Sequence, residues 1–357
     1  MYRGVATLVG MDSLVGGTAA DTFALSAGTV FNGSLNGGLT ATNTLSVAGD
    51  DNRWNVEQYD DNGVTGSVAD RVNQFVSVGM LNGGESDVLA GPDVATTWTL
   101  DGADSGALVR TGETDASVQF DGMSALVGGN STDTFIVSGD TLFTGVIDGG
   151  AGSDDTLNLQ GLTSDGTTQA VTVGMLAPDN NASSWVARDD DDISIRNIET
   201  LTAADAGNDV GNDTGNQLLG PVSGYYLWTL SGENSGTVQP TSGEFEPNNS
   251  RDRVLEFSGF AYLVGGDDSD FRVDGGDATG GITGGSGDTW LDYSLANGDL
   301  CVNLNAGTEA CDGPLLDNID GIVGNSSAGF NSQLRANGDD DYVWRIDNNG
   351  HGRADGI

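Results

Sequence analysis

The chemistry open to this chain is carboxylate chemistry. Fifty-three of its 357 residues are Asp or Glu, against 12 basic residues that are all arginine, and a single histidine, His351. With no lysine there is no amine for Schiff-base, phosphate or isopeptide chemistry. Carboxylate pairs can do acid–base work on sugars, and acidic runs occur at 189–192, at Asp267, Asp268 and Asp270, and at 339–341. A chain this rich in acids produces such runs by chance, so the sequence reads as a non-enzyme. The net charge of −41 repels nucleic acid and anionic lipid and favours divalent cations as counter-ions. Asp is both a turn former and a short-armed ligand for hard cations, so the acids form specific cation sites or a solvated acidic surface.

Two cysteines, Cys301 and Cys311, flank a plausible turn at Asn305-Ala306-Gly307. A disulfide across it would add roughly 2–3 kcal/mol by restricting the unfolded chain, with free thiols in a reducing compartment as the alternative.

The elements that must position these groups are announced by glycine. Fifty-seven glycines and six prolines exclude a helix-rich protein, since each glycine in a helix costs about 1 kcal/mol relative to alanine. The pairs Gly16-Gly17, Gly128-Gly129 and Gly265-Gly266 are each followed by a second pair, at Gly37-Gly38, Gly149-Gly150 and Gly284-Gly285. Leu-Val precedes each first pair (Leu14-Val15, Leu126-Val127, Leu263-Val264) and Phe23, Phe135 or Phe271 follows it. A further landmark, Trp98-Thr99-Leu100, recurs as Trp228-Thr229-Leu230 and, as a nine-residue frame, at Trp344, where His351 takes the place of Ser105 and Ser235 and reads as a turn residue.

These anchors divide the chain into an incomplete unit at 1–97, full units at 98–227 and 228–343, and the start of another at 344–357. Short strands are expected at 134–137, 142–147, 254–257 and 300–304. Strands of this length, punctuated by glycine corners, predict an all-β fold, a parallel β-helix or β-roll solenoid of long irregular repeats. Tandem antiparallel β-sandwich modules are the alternative. Recurrence at one place in the unit assigns Trp98, Trp228 and Trp344 to packing, whereas Trp54 and Trp185, outside the frame, suit sugar stacking better.

The turn Gly128-Gly129-Asn130-Ser131-Thr132-Asp133 resembles one nonapeptide of the haemolysin-type calcium-binding repeats, as do Gly149-Gly150-Ala151-Gly152-Ser153-Asp154 and the turn that ends in Asp21. The resemblance implies Ca²⁺ as a cofactor, with Asp133, Asp154 and Asp21 as metal ligands. The larger unit is similar to the long repeats of bacterial adhesin and haemagglutinin-like exoproteins. That likeness implies an extended acidic stalk or fibre, extracellular or on the cell surface, with carbohydrate, neighbouring surface proteins or self-association as partners. A calcium-binding β-roll module and a polysaccharide-active β-helix enzyme are the other expectations. No apolar stretch is long enough to span a membrane, so no membrane insertion is expected, and Leu8-Val9 at the start reads as the middle of a repeat in a longer chain.

Overall fold

In the computed structural model, the described residues are 10–39, 42–60, 63–113, 117–140, 143–164, 167–168, 170–175, 184–188, 191–204, 215–241, 254–296, 300–303, 316–325, 332–335, 342–346 and 352–356. Every regular element among them is a β-strand. The fold is all-β with parallel and antiparallel pairing mixed, and the chain forms two compact units: 1–169 with 183–202, and 170–182 with 203–357.

The first unit is built on parallel ladders in which one apolar residue per strand lies in register. Leu14, Leu35 and Phe75 align across Ser13–Val15, Phe31–Asn36 and Val72–Val78. Phe23, Leu45, Leu81 and Phe120 form a second row. Trp54, Leu89, Leu126, Ile147 and Ile195 form a third. The fourth row runs Trp98, Phe135, Leu157, Leu201, across Thr96–Leu100, Asp133–Gly139, Thr156–Ser164 and Thr200–Thr202. Its members are all fully buried, each contributing about 1.5–3 kcal/mol of apolar burial. In the second unit the equivalent rows are Val173, Leu218, Leu263, Ile282, Leu316 and Trp228, Phe271, Leu291, Ile322.

Each tryptophan row also opens an antiparallel meander of three strands. Thr96–Leu100 turns into Gly106–Arg110 and then Val118–Val127; Tyr225–Gly232 turns into Ser235–Pro240 and Leu255–Ser258. Arg53–Asp60, Gly63–Val68 and Val72–Val78 repeat the arrangement. The indole packs on a phenylalanine two strands away: Trp54 on Phe75 at 6.5 Å, Trp98 on Phe120 at 6.1 Å, Trp228 on Phe257 at 5.9 Å between ring centroids. A glycine stands opposite that phenylalanine each time (Gly66, Gly106, Gly236). A Cβ at Gly66 would come 2.7 Å from the Phe75 ring, so the bare backbone is the seat of the ring. Trp98 and Trp228 stack in addition on Phe135 and Phe271 of the next parallel strand, at 5.4 and 5.3 Å.

Trp54 thus belongs to the frame from which the sequence pattern had excluded it. It is completely buried and cannot stack on a sugar. Cys311, His351 and residues 189–190 and 339–341 lie outside the described residues, as do the side chains of Cys301, Trp185 and Trp344; the expected Cys301–Cys311 disulfide falls among them.

The double glycines lie on top of one another. The residue after each second pair donates its N–H to the carbonyl of the first pair: Leu39 to Gly17, Ala151 to Gly129 and Ser286 to Gly266, at 3.5, 3.0 and 3.1 Å. Gly38 and Gly150 take φ of +95° and +98°, where a side chain is strained.

Candidate functional site: the corner carboxylates

A residue at or just before the start of a paired ladder stretch sits at a corner, and its side chain reaches one strand along the stack. Asn43 Oδ1 accepts the N–H of Asp21, Asp87 Oδ1 that of Asn52, and Asp133 Oδ1 that of Thr96, at 2.9, 2.8 and 3.0 Å. Asp155 Oδ1 accepts the N–H of Asp133 and Glu199 Oε2 that of Asp155, at 2.7 and 2.8 Å. In the second unit Asn216 does the same for Val171 and Asp320 for Thr289. The physical reason is plain. A corner takes the backbone out of the ladder, so its N–H needs another acceptor, and a short Asp or Asn arm supplies one.

The other carboxylate oxygen often caps the glycine turn of its own strand. Asp21 Oδ2 takes the N–H of Gly17, Asp87 Oδ2 that of Gly84 and Asp133 Oδ2 that of Gly129, at 2.6, 3.0 and 2.8 Å. Ser269 and Thr289 hydroxyls cap Gly266 and Gly285 in the second unit. Asp87 is the most fully engaged corner: it also accepts the Trp54 Nε1–H at 2.8 Å and the Asn52 side-chain amide.

Asp133, Asp155 and Glu199 follow one another along a single ladder and carry unusual electrostatics. Burial pushes Asp133 up to about 6, against the opposing pull of the Gly129 and Thr96 amides. Burial pushes Asp155 up to about 7; the Asp133 N–H opposes this, and the charges of Glu199, Asp133 and Asp154 add to it. Glu199 is raised as well, chiefly by burial. The corner after Gly149-Gly150 also differs in shape. Gly150 donates to Asp148 Oδ1 instead, and Asp155 Oδ2 is buried without a hydrogen-bond partner.

The three residues expected to bind metal fall in different places. Asp133 and Asp21 occupy corners on different ladders, and both oxygens of Asp133 accept backbone amides. Asp154 is extruded: the extra residue in its turn adopts a left-handed φ of +68°, its carboxylate is exposed, and Asp155 takes the position equivalent to Asp133. Amide hydrogens pointing at a carboxylate are the reverse of a calcium cage, which gathers six to eight oxygens around one point. Among the described residues no group of three or more His, Cys, Asp or Glu side chains is placed to hold a metal ion.

The sequence reading missed Asn43, Asp87, Asp155, Glu199, Asn216 and Asp320. A signal for several of them was present: Asp21-Thr22-Phe23, Asn43-Thr44-Leu45, Asp133-Thr134-Phe135, Asp155-Thr156-Leu157 and Glu199-Thr200-Leu201 share one acceptor–Thr–apolar pattern. Comparison of the chain with protein-family models, curated proteins and solved structures finds no match.

Proposed function

We propose that the chain is a structural, adhesive repeat segment of a secreted or cell-surface protein, whose parallel ladders are the faces of a β-helix. The observation that carries this reading is the corner bond from side chain to backbone, which recurs along the stacks of the described residues. Each such bond fixes the register of one strand on the next, so the acids at these corners act as mechanical ties between successive strands. The stacked glycine pairs support the helical winding: a return to the same corner after 19 to 21 residues is the length of one short coil. Register-locked coils resist shear along the stack, which suits a stalk or fibre. The acidic surface and the likeness of the repeat unit to long-repeat exoproteins suit a place outside the cell.

Small-angle X-ray scattering of the full chain tests the winding. A compact domain of this length has a radius of gyration of about 21 Å. The proposal expects a clearly larger value and a rod-like cross-section; a compact profile would sink it.

A further inference from the structure

We propose that the outer face of the second unit carries a binding cleft for a neutral sugar, with Tyr225 and Trp290 as stacking surfaces and Asp268 and Asp288 as hydroxyl acceptors. This inference deepens the adhesive half of the reading above and rests on it. It supplies the chemical class of the partner.

Register builds the cleft. Tyr225 pairs with Asp268 and Asp270 with Trp290, and Asp288 lies beside Asp268, donating its N–H to Asp268 Oδ1 at 2.9 Å. Side chains two residues apart share a face of a strand. Tyr225, Asp268 and Asp288 therefore form one column across three strands about 4.8 Å apart, with Asp270 and Trp290 in the adjacent column. Tyr226, Ser269 and Thr241 complete the lining.

The chemistry of this lining is selective. Tyr225 is 55% exposed and Trp290 is half-buried, although Tyr226, Trp228 and Phe271 of the same ladder are buried. An exposed aromatic face offers an apolar platform to the C–H face of a pyranose, and carboxylates beside it accept hydrogen bonds from the hydroxyls. Among the described residues no arginine or histidine lines the cleft, and the chain carries a net charge of −41. Sialylated, sulfated or uronic glycans would be repelled.

Titration of the full chain with neutral gluco-, manno-, galacto- and N-acetylated oligosaccharides, followed by tryptophan fluorescence and calorimetry, is the test. Saturable binding of at least one neutral probe is expected, with at least tenfold loss in Tyr225→Ala and in Asp288→Asn. Both side chains are exposed, so these variants keep the parent melting temperature, and their scattering profile stays that of the parent whether or not the β-helix reading holds. Three results would overturn the proposal: no neutral probe binds at millimolar concentration, affinity survives both substitutions, or an anionic or cationic probe binds more tightly than every neutral one.

Discussion

A buried carboxylate is a liability unless its oxygens are satisfied, and two corner residues of the first unit sit at opposite ends of that scale. Asp87 has both oxygens engaged, by the amides of Asn52 and Gly84, the Asn52 side chain and the Trp54 indole. Removing it orphans several buried donors at once. Asp87→Ala is therefore expected to destabilise the fold by about 2–4 kcal/mol in chemical denaturation. Asp155 is the converse case, since its Oδ2 has no partner and negative neighbours surround it. Asp155→Asn keeps the Oδ1 acceptor for the Asp133 amide and discards the charge. It is expected to leave the protein as stable or more stable at pH 8, by up to about 2 kcal/mol. Asn43, which does the same work on another ladder, shows that an amide suits the corner. A loss of stability above 1 kcal/mol in this variant would show that the Asp155 charge is held by something other than the contacts described above.

The column of Asp133, Asp155 and Glu199 makes a single ladder sensitive to protons. All three are raised in the folded state, so between the unfolded carboxylate range near pH 4 and the folded values the native chain binds more protons than the unfolded one. The stability they contribute is full below about pH 4 and is lost as pH rises through about 6 for Asp133 and about 7 for Asp155. Melting temperature should fall between pH 5 and pH 8. Measured in 0.5 M NaCl to suppress long-range repulsion, that fall should shrink in Asp155→Asn; an unchanged slope would remove the column as its source. At this scale the sequence was readable wherever it repeated itself. Paired glycines, Trp98 and Trp228 sit where their spacing implied, because identical backbone corners need identical residues. The sequence was opaque wherever one residue was added or exchanged. The insertion at Asp154 moved the corner to Asp155, and Trp54 lost its following Thr-Leu signature while keeping its ring, its glycine and its phenylalanine. Pairing along the stack, such as Trp54 with Leu89, was not legible, because any inward apolar residue serves a parallel row equally well.

Charge acts on the whole chain and separates two ways in which cations could matter. A net charge of −41 repels itself in any folded arrangement, and the repulsion is felt over a Debye length of about 10 Å at 0.1 M salt. Screening should therefore raise the melting temperature steadily with NaCl, with no saturation at micromolar levels. Calcium held at defined turns would behave differently, stabilising by mass action at concentrations set by its dissociation constant and ignoring magnesium, whose octahedral demands differ. The amide-capped geometry of Asp133 and Asp21 argues for the first behaviour. Ca²⁺ and Mg²⁺ at equal ionic strength should shift the melting temperature equally, and EDTA added to the purified chain should leave it unchanged. If micromolar Ca²⁺ alone raised it by several degrees, the corners would have to rearrange around the ion, with Gly17 and Gly129 giving up their carboxylate caps. Hydrogen exchange at those two amides would then report the rearrangement directly, because each would lose the acceptor that protects it.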